Sequence, residues 1–131
     1  MKNGISCVML IMLMTLASNI LSAQTWDYLG SAKVQGVGVD HDEILVTRME
    51  GDFKAIKILV ENEGIEFEKV VVHFGNGGQQ ELAIRDFIPA GSETRVLDLN
   101  GRDRIIHSVE FYYKSNPATR KKGKVKLYGR R

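Results

Sequence analysis

The 131-residue chain has one cysteine, Cys7, and it lies close to the N-terminus. From Gln24 onward there is none, which excludes disulfides and thiolate chemistry there and leaves packing as the source of stability. Long apolar runs are also lacking. The longest, Ile5 to Leu16, covers about a dozen residues before Ala17-Ser18-Asn19 dilutes it, short of the roughly 20 that span a bilayer. No segment sustains a helical stripe beyond two turns, and there is no internal repeat or low-complexity linker. Acidic residues are missing from one end. Lys114 to Arg131 holds eight Lys or Arg and no Asp or Glu, whereas Gln24 to Tyr113 holds nine basic residues against sixteen acidic ones. A formal net charge of +2 therefore hides an acidic body followed by a basic end.

What is present begins with a leader. Met1-Lys2 supplies a positive start, Ile5 to Leu16 an apolar stretch, and Leu21-Ser22-Ala23 a small-residue cleavage site before Gln24. Residues 1–23 read as a signal peptide and 24–131 as one domain, exported to the periplasm or secreted, with no transmembrane anchor in the mature chain. Cys7 lies inside the leader and precedes most of its apolar stretch, which argues against a lipid-modified cysteine at the mature N-terminus. The 44% hydrophobic and 26% charged content suits a globular fold.

The remainder alternates with period two between turn residues, the mark of strands. Strands are expected over Trp26 to Gln35, Glu43 to Arg48, Lys54 to Glu61, Ile65 to Phe74, Gln80 to Ile88, Thr94 to Leu99, Arg104 to Lys114 and Lys124 to Tyr128. Ile65 and Phe67 share one parity, but Val70, Val72 and Phe74 take the other. Because a slip of one residue exchanges the faces of a strand, this predicts a β-bulge near Lys69, a strand passing between sheets, or burial of both faces. Gly75-Asn76-Gly77-Gly78 and Asn100-Gly101 read as tight turns. In Arg104 to Lys114, Ile105, His107, Val109, Phe111 and Tyr113 are expected inward. About eight strands at this spacing predict an all-β fold, a β-sandwich of jelly-roll or immunoglobulin-like type, with a small closed barrel as the alternative.

Leu29-Gly30, the strand Val70-Val71-Val72-His73-Phe74 before a Gly-Asn-Gly turn, Pro89-Ala90-Gly91-Ser92-Glu93-Thr94, Asp98-Leu99, Asp103-Arg104-Ile105-Ile106, Val109-Glu110-Phe111 and Val125-Lys126-Leu127-Tyr128-Gly129 form a recognisable series. It resembles a group of small, signal-bearing bacterial proteins known as a domain of unknown function. The resemblance implies a periplasmic or secreted β-domain and carries over no catalytic residue.

Candidate chemistry is sparse. Asp40, His41, Asp42 and Glu43 are the densest set of metal-capable side chains, though consecutive residues converge on one ion only in a loop folded for it, and the spacing is not that of an EF-hand. Asp98-Leu99-Asn100-Gly101-Arg102-Asp103 gathers oxygen atoms at a glycine turn, where Asp and Asn also serve as turn caps. His107 and His73 are candidate bases for a small envelope hydrolase, but none of Ser31, Ser92, Ser108 and Ser115 lies in a nucleophile-elbow pattern. The sharper candidate is aromatic and basic: Tyr112, Lys114, Lys124, Lys126 and Tyr128 are expected to point outward, where tyrosines stack on sugar rings and ammonium groups meet an anion. The same residues also serve to protect sheet edges.

These observations favour a non-catalytic exported binding module for an envelope glycan or another anionic surface, needing no cofactor. Two rivals stand beside it, a small envelope hydrolase and an accessory subunit that pairs with another envelope protein through an edge strand. Nucleic acid is not expected as a partner of an exported protein.

Overall fold

The computed structural model describes residues 25–34, 41–46, 51–101, 103–114 and 122–131. Residues 1–23, read from the sequence as a leader, and Asp40 lie outside these residues. Among the described residues there are nine antiparallel strands: β1 (Asp27–Lys33), β2 (His41–Leu45), β3 (Asp52–Phe53), β4 (Ala55–Glu61), β5 (Ile65–Phe74), β6 (Gln79–Ile88), β7 (Leu97–Asp98), β8 (Arg104–Lys114) and β9 (Lys124–Arg130). They form a four-stranded sheet in the order β1-β9-β4-β7 and a five-stranded sheet in the order β2-β8-β5-β6, with β3 also paired to β8. Setting the two-residue β3 aside, the other eight strands follow the interleaved order of a jelly roll, 1-8-3-6 and 2-7-4-5, which selects that sandwich over the immunoglobulin-like and closed-barrel alternatives.

Alternation explains the core. Ile56, Ile58 and Val60 of β4 and Val125 and Leu127 of β9 face Val70 and Val72 of β5 and Val109 and Phe111 of β8, and all of these are fully buried. Phe67 and Tyr113 flank Phe111 at ring-centroid distances of 6.0 and 5.7 Å. At one corner the sheets approach so closely that a Cβ on Gly30 of β1 would lie 2.5 Å from the Leu45 carbonyl of β2. Only glycine fits there.

The bulge expected near Lys69 is present. Between Phe67 and Lys69, β5 gains one residue relative to β8, and β6 answers with Ile84 and Arg85 opposite the same gap. Arg85 adopts a φ of 47°, in the left-handed region.

Four expectations need correction. The strand expected from Glu43 begins two residues earlier: His41, Asp42 and Glu43 are most of β2, whose rungs to β8 run from Tyr112 to Ser108, and not a loop folded for an ion. Asp52, expected in a turn Glu50-Gly51-Asp52 ahead of the strand from Lys54, instead forms β3 with Phe53, the two pairing with Ile105 and Arg104. The strand expected over Thr94 to Leu99 shrinks to Leu97-Asp98, because the Ile58 carbonyl is claimed by Thr94 while Ile56 pairs with Leu97, so one extra residue interrupts the ladder. Finally, β8 changes parity. Its register to β5 jumps from Ser108–His73 to Ile106–Phe74, leaving His107 unpaired with β5; Ile106 is buried, while Ile105 is 58% exposed and His107 is exposed. His107 therefore lies off the apolar face expected for it.

Candidate functional site

The outer face of the four-stranded sheet is a grid fixed by register. Tyr28, Tyr128 and Lys57 form one row across β1, β9 and β4; Ser31, Lys126 and Leu59 form the next; Lys33, Lys124 and Glu61 the third. A bulge between Tyr28 and Gly30 sends the intervening Leu29 into the core and keeps both Tyr28 and Ser31 outside. The Tyr28 and Tyr128 rings meet at 5.7 Å. Trp26, just before β1, lies with Lys57 Nζ 4.4 Å and the Arg130 guanidinium 5.2 Å from its ring centre. All three aromatic side chains are partly exposed.

Five cations, Lys33, Lys57, Lys124, Lys126 and Arg130, stand on this face with the carboxylates of Glu61, Glu93 and Asp98. Lys126 pairs with Glu61 at 2.9 Å and Lys57 with Glu93 at 2.6 Å. The hydrogen bond and charge of Glu61 raise the pKa of Lys126, keeping it charged. Lys33 and Lys124 have no carboxylate within pairing distance among the described residues.

The outer face of the five-stranded sheet differs. His41, Tyr112, Lys69 and Ala83 form one row, and Glu43, Glu110, Val71 and Glu81 the next. Tyr112 stands between its neighbours: the His41 ring stacks at 5.1 Å and Lys69 Nζ lies 4.7 Å from the ring centre. Lys69 also pairs with Glu81 at 2.9 Å, and that contact raises its pKa. His73 Nε2 bonds Glu110, whose other carboxylate oxygen receives a hydrogen bond from the Tyr112 hydroxyl at 3.4 Å.

The outward residues picked from the sequence thus divide. Lys124, Lys126 and Tyr128 share the four-stranded sheet; Tyr112 and Lys114 belong to the other. Strand alternation also divides the metal candidates. His41 and Glu43 point outward, while Asp42 turns the other way and accepts a hydrogen bond from the Tyr113 hydroxyl at 2.9 Å. Among the described residues no three His, Cys, Asp or Glu side chains gather as a metal site. His73 has a carboxylate, as a catalytic base needs, and Ser108 lies opposite it in register, but Ser108 is only 2% exposed.

Residues 6–129 match the family described as Domain of unknown function (DUF2541). The chain belongs to that family. No curated protein matches the chain. Among solved structures, the chain is similar to Pseudomonas aeruginosa AlgX with a TM-score of 0.50 and 13% identity, over 77% of this chain and 26% of that one. It therefore spans about a quarter of AlgX. A variant of CBM29-2, a family 29 carbohydrate-binding module, aligns at a TM-score of 0.43 and 9% identity over 82% of this chain and 93% of the module. The SPBc2 prophage-derived protein YomS aligns at 0.40 and 14% identity over 82% and 96%. At 13% identity the likeness to AlgX is one of fold.

Within the DUF2541 domain, sequence reasoning missed Trp26, Tyr28, Lys33, Lys57 and Arg130 as members of a face with Lys124, Lys126 and Tyr128. A signal existed. The chain's one tryptophan and Tyr28 sit two residues apart, hence on one side of a strand, at the parity opposite Leu29.

Proposed function

We propose that this domain is an exported, non-catalytic module that binds an acidic polysaccharide on the outer face of its four-stranded sheet. The observation that carries the reading is the convergence of Trp26, Tyr28 and Tyr128 with Lys33, Lys57, Lys124, Lys126 and Arg130 on one face of a sheet held rigid by the core below it. Aromatic side chains offer apolar faces to the C–H surface of sugar rings, and the cations meet carboxylates or sulfates along the same polymer. Rows two residues apart on a strand recur at about 6.8 Å, so the grid extends along a polymer rather than enclosing a small molecule. Export rests on the charge, length and cleavage pattern of residues 1–23.

The test uses polygalacturonate and its carboxyl-reduced, neutral counterpart, with the purified chain in isothermal titration calorimetry. The acidic polymer is expected to bind, to weaken steeply as salt is raised, and to bind at least about tenfold more weakly to Lys124→Glu/Lys126→Glu. Trp26→Ala is expected to cost about tenfold by loss of ring contact. Equal binding of both polymers, or binding unchanged in these variants, overturns the choice of ligand and face. Export is checked by the mass of the protein recovered from its native host, which should begin at Gln24.

A further inference from the structure

We infer that the opposite face carries a second, chemically different site: a groove on the five-stranded sheet for an uncharged, hydroxyl-rich oligosaccharide. The groove, of about 570 Å³, is lined by Glu66, Glu68, Lys69, Glu81, Arg85 and Lys114. It lies where two adjacent strands bulge together, Glu68 being the extra residue of β5 relative to β8 and Ile84 and Arg85 of β6 standing opposite it. A bulge re-aims side chains and bends its strand, so bulges side by side open a trough in an otherwise pleated surface. Arg85 is held in the left-handed region to make this turn, a conformation unfavourable for a side chain of its size.

The lining is balanced, with three carboxylates and three cations. Lys69 Nζ lies 2.9 Å from Glu81, and Lys114 Nζ 3.5 Å from Glu66, in pairs whose side chains remain 40 to 62% exposed. Exposed pairs of this kind are held weakly and open at small cost. A sugar hydroxyl donates and accepts at once, so neighbouring hydroxyls can bridge a carboxylate and an ammonium with charge-assisted hydrogen bonds. A polyanion gains nothing from balanced charge, and Glu110, in one row with the groove residue Glu81, repels it. Tyr112, flanked by His41 and Lys69, acts here by holding the Lys69 ammonium at the rim, not by offering a free ring face.

With the two sites on opposite sheets, one domain bridges an acidic polymer and a neutral one. The groove stands independently of the acidic-polymer reading, and its test keeps the two apart. The ¹⁵N-labelled full chain is titrated with neutral hexasaccharides (cellohexaose, maltohexaose, mannohexaose and xylohexaose) and separately with polygalacturonate. At least one hexasaccharide is expected to shift amides of residues 66–69, 81–85 and 112–114 while leaving residues 26–28 and 124–128 in place. Glu66→Gln/Glu81→Gln, which keeps side-chain shape, is expected to weaken it about fivefold; Lys124→Glu/Lys126→Glu should leave it unchanged. The inference is overturned if no hexasaccharide shifts the groove amides, if the shifts fall on the four-stranded sheet, or if Glu66→Gln/Glu81→Gln binds as the parent does.

Discussion

The two sheets share one core but present opposite chemistries to solvent. On the four-stranded sheet cations outnumber carboxylates, and three aromatic rings stand among them. On the five-stranded sheet the rows carry Glu43, Glu66, Glu81 and Glu110 against Lys69 and Lys114, with the rings of Tyr112, flanked by His41 and Lys69, and of the exposed Phe87 among them. The inward halves of the strands are alike and apolar, as a sandwich requires, so the difference resides wholly in residues that the fold leaves free. Fold sets where these residues stand; their identity sets what each face can hold.

The strongest way to break the comparison is to remove what both faces share. Phe111 is fully buried between Phe67 and Tyr113, so Phe111→Ala is expected to lower stability by about 3–5 kcal/mol in urea denaturation and to weaken both faces alike. A more selective change is Gly129→Ala. Its new Cβ would lie 2.7 Å from Phe53 Cδ1 and 2.8 Å from Leu29 Cδ1, forcing those side chains to shift at a cost of about 1–3 kcal/mol. Because Gly129 lies between Asp27 and Ile56 in register, amide exchange should quicken in the four-stranded sheet before the other.

Smaller changes sharpen the contrast without touching the core. Glu61→Gln removes the carboxylate that competes for Lys126, and polygalacturonate affinity should rise about two- to fivefold by calorimetry, with no change at the groove. The least effect concerns pH. Lys69 and Lys126 are each raised above the ordinary lysine value by a glutamate partner, Glu81 and Glu61. A folded-state pKa above the unfolded one gives stabilisation that is complete below the unfolded value and lost as pH rises through the folded one. These pairs therefore add no pH dependence near neutrality, and a slight fall in thermal midpoint should begin only above the ordinary lysine range. Lys126→Met should remove its share of that fall.

Much of the fold was legible because alternation reports burial directly. β5 announced its own bulge, since Phe67 and Val70 cannot share a face unless a residue is added between them. β8 misled for a related reason: Ile105 and His107 continue the parity of Val109 and Phe111 in sequence, and only pairing with Phe74 shows that the strand changes phase at His107. A polar residue on an apparently apolar parity was the available hint. The metal reading of Asp40 to Glu43 needed a loop folded round an ion, whereas His41 to Glu43 belong to β2, an edge strand that tolerates charge on its exposed side. The aromatic and basic face was legible only in halves. Trp26 and Tyr28 stand at one end of the domain's sequence and Tyr128 at the other, and no local pattern reports that these segments are neighbours.

That neighbourhood has a consequence in time. β9 lies between β1 and β4, so the middle of the four-stranded sheet is supplied by a strand that follows both of them by more than sixty residues of sequence. Until it arrives, β1 has no partner in its sheet, Tyr28 lacks Tyr128, and Trp26 lacks Arg130. Closing contacts between the two ends of a domain is slow because the whole intervening chain must first be ordered. The aromatic and basic face is therefore a late product of folding, assembled only once β9 has docked between β1 and β4.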